Sequence, residues 1–165
     1  MAYQAVFKRY ELKYMLTQKQ KEILLTAITP YMALDAYGHS LIRNLYFDTN
    51  NYRLVRRSIE RPAYKEKLRI RSYGRPDPEK PVFVELKKKY KSVVYKRRMP
   101  VSCEQEALAW FCGGEPPVDT QIAREIEYFQ NYYQTLHPTA YLSYEREAFY
   151  SRDGADLRIT FDERI

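Results

Sequence analysis

Lys65, Lys67, Arg69 and Arg71 occupy every second position of one stretch, with Leu68 and Ile70 between them. Glu85, Lys87 and Lys89 repeat the spacing beside Val84 and Leu86, and Lys96 and Arg98 close a third run. Successive side chains of a strand point to opposite faces, so each run places cations on one face and mostly apolar groups on the other. Strands of this kind side by side give a sheet with a cationic wall. The chemistry such a wall can do is to hold a polyanion: guanidinium forks grip phosphate oxygens, and ammonium groups act as point charges.

Lys67, Arg69, Arg71, Lys87, Lys96 and Arg98, together with Arg9, Lys13, Arg146 and Arg158 from other alternating stretches, make ten candidate inward cations. Two like charges ~4 Å apart repel by about 4 kcal/mol at an effective dielectric of ~20, so clustering them costs stability. A flat solvated sheet would dissipate that cost. A closed barrel would need a bound anion or an interleaved carboxylate such as Glu11 or Glu85. On this reasoning, removing Arg69 or Arg71 should leave the unliganded fold no less stable.

The elements that must position these groups follow in chain order. Ala5–Tyr14 reads as a strand carrying Arg9, Glu11 and Lys13 on one face. Thr17 with Gln20 forms a capping box that opens a helix with the stripe Ile23, Leu24, Ala27 and Ile28. Leu41–Phe47 is a strand, Asp48-Thr49-Asn50-Asn51 a turn or helix start, and a short helix ends around Ile59. Tyr64–Tyr73 and Val82–Tyr90 form a hairpin about the turn residues Gly74 to Pro78, and Val93–Val101 is the next strand. Lys88 falls on the opposite face from Lys87 and Lys89. Ser102 with Gln105 suggests a second capping box, and that helix stops at Gly113-Gly114. Thr120–Leu136 is a longer amphipathic helix, followed by strands Tyr141–Tyr150 and Leu157–Phe161. The pattern predicts one α+β domain over residues 1–165, mostly antiparallel, with no repeat, linker or low-complexity segment.

The chain has 165 residues, 45% hydrophobic content, 17 tyrosines and a net charge of +7 with a pI near 9.3. These values indicate a globular domain with phosphate-rich partners rather than a disordered tail. Cys103 and Cys112 lie close together with no His nearby, which argues against a disulfide or a zinc site. No apolar run approaches a membrane span and no signal peptide opens the chain, so a cytoplasmic protein is expected. The glycines form no phosphate loop. His39 and His137 sit beside loop signals, and Trp110 reads as core. Tyrosines beside cations also suit a nucleic-acid surface, but they are spread over helices as much as strands.

Seven motifs in order resemble one family. They are Arg9-x-Glu11-x-Lys13-Tyr14, Leu45-Tyr46-Phe47-Asp48-Thr49, Lys67-Leu68-Arg69-Ile70-Arg71-x-Tyr73-Gly74, Phe83-Val84-Glu85-Leu86-Lys87, Tyr95-Lys96-x-Arg98-x-Pro100, Tyr144-x-Arg146-x-Ala148-Phe149 and Leu157-Arg158-Ile159-Thr160-Phe161-Asp162. Together they are similar to the VTC domain, the polyphosphate polymerase branch of the triphosphate tunnel metalloenzymes. The resemblance implies an antiparallel β-barrel tunnel with peripheral helices, binding ATP, triphosphate or polyphosphate with Mn or Mg. It further implies transfer of the terminal phosphate of ATP to a polyphosphate chain. Lys13, Arg69, Arg71, Lys87, Lys96, Arg146 and Arg158 match the family's tunnel residues, and Arg9, Lys67 and Arg98 are further phosphate-binding candidates. Glu11 and Glu85 are charge balancers or metal-shell candidates. The Arg-x-Glu-x-Lys start favours the polymerase branch over the hydrolase branch, where the pattern is Glu-x-Glu-x-Lys. The family pattern continues with a Glu-x-Lys strand and a C-terminal helix after the Asp162 strand, whereas this sequence ends at Ile165. An incomplete tunnel is therefore expected, with open strand edges that invite self-association. A non-catalytic polyphosphate-binding module, a triphosphatase and a nucleic-acid-binding β domain are the alternatives.

Overall fold

A computed structural model describes residues 5–75, 77–91 and 93–165, apart from the side chains of Phe7 and Arg9. In chain order the elements are β1 (Val6–Tyr10), α1 (Gln18–Ile28), β2 (Met32–Asp48), α2 (Arg53–Ile59), β3 (Tyr64–Tyr73), β4 (Val82–Tyr90), β5 (Val93–Val101), α3 (Glu104–Phe111), α4 (Gln121–Tyr133), β6 (His137–Ser151) and β7 (Arg158–Glu163). They fall into two compact units. The first comprises Met1–Glu11 and Arg43–Leu142, the second Leu12–Ile42 and Ser143–Ile165. The class is α+β with an antiparallel sheet, as the alternation requires.

In the first unit the strand order is β1-β5-β4-β3-β2. The β3–β4 hairpin and the β4–β5 pair are antiparallel in continuous register, with Leu68 opposite Leu86 and Val84 opposite Met99. One face of these strands carries Leu68, Ile70, Val84, Leu86, Met99 and Val101. Against it pack Leu54 of α2, Ala107 and Trp110 of α3, and Ala123, Ile126 and Phe129 of α4. Fully burying a large apolar side chain is worth about 1.5–3 kcal/mol, so this one-sided core fixes which face the helices cover. The opposite face of the same strands is left for polar side chains.

In the second unit β2, β6 and β7 are neighbours in the order β2-β6-β7. Ile28, Met32 and Phe161 form its core with Leu24, Leu25, Phe149 and Ile159. The Thr17–Gln20 capping box opens α1 as read from the sequence. The apolar stripe differs by one turn position, because Ile23 and Ala27 are exposed and Leu25 takes part instead.

Other boundaries also differ. β1 stops at Tyr10 because its partner β5 begins at Val93, which lies opposite Tyr10, so the chain beyond has no strand to pair with. β2 and β6 are longer than the hydropathy alternation suggests, starting at Met32 and His137. Pro138 is tolerated because it occupies the second residue of its strand, where a missing ladder donor costs little. Cys103, not Ser102, is the residue before α3, and it makes no side-chain cap; Ser102 N–H instead donates to Glu106. α4 ends at Tyr133, and Gln134 leaves it with φ 59°.

Candidate functional site

The polar face of β3, β4 and β5 is organised by register. Lys67 lies opposite Lys87, which lies opposite Lys96 on the next strand. The adjacent row is Arg69, Glu85 and Arg98. Like charges directly opposite one another in an antiparallel pair are destabilising, so a row of three lysines works against the apo sheet.

Glu85 is the centre of the second row and is fully buried. Its carboxylate lies 2.6 Å from Arg69, 3.4 Å from Arg98, 3.5 Å from Lys96 and 3.8 Å from Arg71. Arg69 donates through both Nε and Nη2 to one carboxylate oxygen, and its Nη1 donates to the Tyr46 hydroxyl at 2.8 Å. Burial alone would push the Glu85 pKa up. The four cations outweigh it, with Arg69 the strongest, and bring it down to about 2. Burial likewise pushes Lys96 down to about 8; Glu85 opposes this, and the neighbouring Arg98, Arg71 and Arg69 add to it. Four cations on one carboxylate leave a local charge of about +3 at neutral pH. Among the described residues, Glu85 is the carboxylate that these four cations share.

Residues outside the cationic runs orient these groups. Asn44, buried on β2, accepts from Arg71 Nε at 2.9 Å and donates to the Leu142 carbonyl. Arg98 stacks 3.6 Å above the Phe83 ring and donates to the Tyr73 hydroxyl at 2.8 Å, while Tyr73 and Phe83 meet edge to face. Asp48 fixes the end of β2: its side chain accepts from Thr49, Leu54 and Val55 N–H groups and so caps α2. Thr49 Oγ1 accepts from Arg53 N–H. Tyr46 and Asp48 therefore have distinct tasks within one short motif, the first holding Arg69 and the second closing a helix. Tyr46, Asn44 and Phe83 drew no functional reading from the sequence. Tyr46 and Phe83 lie within two of the quoted motifs, and Phe83 is set opposite Arg71 by the register; Asn44 lies just before a motif and carried no such signal.

Lys87 pairs with Glu11 at 2.6 Å. No carboxylate pairs with Lys67 among the described residues. Thus Lys67, Arg69, Arg71, Lys87, Lys96 and Arg98 share one face of the first unit, with Glu85 among them and Glu11 at its margin. The side chain of Arg9 lies outside the described residues. Lys13, Arg146 and Arg158 belong to the second unit. There Lys13 is exposed on the segment before α1. Arg146 forms a two-pronged pair with Asp162 directly opposite it, at 2.6 and 2.7 Å. Arg158 pairs with Asp35 at 2.8 Å.

The expectation that Arg69 and Arg71 only repel their surroundings does not survive this geometry. Both are within 4 Å of a buried carboxylate, and Arg69 is the tightest partner it has. The register supplies the reason: it sets Glu85 opposite Arg69, which no single strand's period reveals.

The carboxylates do not suit a metal held by protein ligands alone. Glu85 has cations on both oxygens, Glu11 is engaged with Lys87, and among the described residues no three metal-ligating side chains come together. A divalent ion accompanying a phosphate chain would depend on the phosphate oxygens for most of its ligands. Both cysteines carry free thiols, and no described helix is long and apolar enough to cross a membrane.

Fold and site together define an antiparallel sheet domain with one helix-covered face and one basic face. Residues 8–165 match the VTC domain family, and the chain belongs to it. No match is found among curated proteins. Among solved structures, the chain is similar to a candidate adenylate cyclase of Bacillus halodurans at 16% identity and TM-score 0.49, covering 98% of this chain and 80% of that one. It is similar to a candidate adenylyl cyclase of Hippeastrum, described as having a dominant triphosphatase activity, at 15% identity and TM-score 0.47, over 96% and 70% of the two chains. A candidate adenylate cyclase of Vibrio parahaemolyticus is similar at 12% identity and TM-score 0.44, over 96% and 68%.

Proposed function

We propose that this protein binds linear tri- and polyphosphate on the basic face of β3–β5 and acts as a phosphotransferase of the polyphosphate polymerase type. The observation that carries the proposal is the surplus of cations around Glu85, next to a row of three lysines. A sheet that places like charges opposite one another gains stability when a polyanion settles across them. A linear phosphate chain lying across the strands would meet Lys67, Lys87 and Lys96 in succession, with Arg69, Arg71 and Arg98 beside them.

Phosphoryl transfer asks little covalent chemistry of a protein; alignment of attacking and leaving oxygens and neutralisation of charge carry most of it. In this reading Arg69 and Arg98 are positioning forks, held in orientation by Glu85, Tyr46, Phe83 and Tyr73. Lys87 and Lys96 supply charge at the transferred phosphoryl group. ATP would offer its terminal phosphate to the end of a polyphosphate chain lying on the same face. Lys13, Arg146 and Arg158 are proposed as further phosphate contacts, each tested by its own substitution.

The test is thermal unfolding with tripolyphosphate, ATP and a short DNA duplex, followed by conversion of labelled ATP into acid-insoluble polyphosphate. A ligand at about 100 times its Kd stabilises by ~2.7 kcal/mol, a rise of several degrees for a domain of this size. Tripolyphosphate should exceed DNA in this assay, and labelled polyphosphate should accumulate. Stabilisation without product would reduce the function to binding. Stabilisation by DNA alone would overturn the proposal.

A further inference from the structure

The helix-covered side of the first unit's sheet carries a second cluster that the phosphate-transfer reading does not use. Beyond the apolar core, a cavity of about 450 Å³ opens among Tyr64, Tyr90, Tyr95, Lys88, Arg97 and Glu125. Its volume falls within the range of small-molecule sites, roughly 300–1,000 Å³. Alternation places it on the opposite face from Glu85, because Lys88, Tyr95 and Arg97 interleave with Lys87, Lys96 and Arg98.

Register explains the concentration of rings. Tyr64 lies directly opposite Tyr90, and Tyr95 lies opposite Lys88, one step diagonal from Tyr90. Diagonal neighbours on one face remain within reach of aromatic side chains. The Tyr64 hydroxyl is committed to Glu66 at 2.6 Å, so that ring is fixed. The hydroxyls of Tyr90 and Tyr95 make no hydrogen bond among the described residues.

The charged groups differ in how far they are committed. Arg97 is anchored from α4, its Nε donating to both Glu125 oxygens at 3.1 and 3.4 Å. Lys88 is half-buried, and no carboxylate pairs with it among the described residues. Its cross-strand neighbour on β3 is Glu66, whose oxygens take the hydroxyls of Tyr64 and Tyr133. With Glu125 balancing Arg97, the cavity wall keeps a net positive charge. A half-buried cation beside three rings is poorly used by the fold alone, since burial of an unpaired charge costs free energy.

We propose that this cavity is a binding site for a planar ring carrying a phosphate, of nucleoside monophosphate size, separate from the basic face. The ring stacks on the tyrosines and the phosphate meets Lys88, with Arg97 as the second donor. Stacking on aromatic rings tolerates any base, so the site selects the class rather than one base.

Calorimetric titration of AMP into the full chain, with and without saturating tripolyphosphate, tests the proposal. AMP should bind with the same affinity in both cases, because tripolyphosphate occupies the other face. Adenosine and inorganic phosphate should each bind more weakly than AMP. Lys88→Gln should weaken AMP at least about tenfold, as for loss of a charge-assisted hydrogen bond. Tyr95→Ala should weaken it about fivefold or more, the low end for stacking on one ring, and Tyr95→Phe should restore it. Neither variant should alter the tripolyphosphate titration, which also reports that each is folded. Abolition of AMP binding by tripolyphosphate, indifference to both substitutions, equal binding of adenosine or phosphate, or no binding at about 1 mM AMP would each overturn the assignment.

Discussion

Replacing Glu85 by Gln would remove the one negative charge from the middle of the basic face while keeping the side chain's shape. The carboxylate is fully buried, and its pKa is brought from 4.5 to about 2 by the surrounding cations. A shift of that size corresponds to about 3 kcal/mol favouring the ionised form in the fold. Breaking a buried pair by removing one partner costs a similar ~3–5 kcal/mol, because uncompensated charge remains. Arg69, Arg71, Lys96 and Arg98 would then face one another without the carboxylate they share. Urea unfolding of Glu85→Gln at neutral pH should therefore show a loss of about 3 kcal/mol. A phosphate charge ~7 Å from the missing carboxylate gains about 2 kcal/mol at an effective dielectric of ~20, so tripolyphosphate should stabilise the variant more than the parent. The acid limb offers an internal control. A depressed carboxylate contributes stability that is complete above 4.5 and lost as pH falls through about 2, and the variant should lack that slope. A variant as stable as the parent, or one that tripolyphosphate stabilises less, would refute the reading of Glu85 as a stand-in for bound phosphate.

Lys96, with its pKa lowered to about 8, should lose charge as pH rises through that value, so tripolyphosphate affinity should fall between roughly pH 7 and 9. Lys96→Arg should flatten the profile. In the apo protein the unfolded chain holds the Lys96 proton up to its ordinary 10.5, so this group makes stability rise between about 8 and 10.5, measurable by denaturant titration. Arg69→Ala should destabilise the apo fold by about 2 kcal/mol through its lost bonds to Glu85 and Tyr46, as well as weakening tripolyphosphate binding. Asp48→Ala removes the acceptor for three backbone N–H groups at the start of α2. It should cost about 1–2 kcal/mol in urea unfolding with little change in tripolyphosphate affinity.

The central strands were the most legible part of the sequence. β3, β4 and β5 begin and end where their alternation does, bounded by Pro62, the Gly74 turn and Ser102. Period-2 patterning also put the right cations on one face. The long β2 was harder because its first half, from Leu34 to His39, mixes exposed tyrosine and charge with little apolar rhythm. Capping chemistry misled at Ser102, where no box forms: Cys103 precedes the helix without a side-chain cap, and the Ser102 N–H donates to Glu106 rather than Gln105. Within the site, side-chain identity could be read but pairing could not. That Glu85 would sit between Arg69 and Arg98, and that three lysines would share a row, depends on register between strands. Asn44 and Tyr46 were invisible as site residues for the same reason, since each serves a group on another strand.

The lysine row has a bearing on how sequences of this kind can change over generations. Selection for heat resistance alone, in a phosphate-free setting, would find its easiest gains at Lys67, which lies opposite Lys87 with no carboxylate pairing it among the described residues, and where neutral or acidic replacements relieve repulsion. Each gain would erode the affinity that justifies the row. A descendant that had lost its polyanion should therefore betray the loss first as a mixed-charge ladder across these three strands, long before its hydrophobic core or its hairpin turn had drifted.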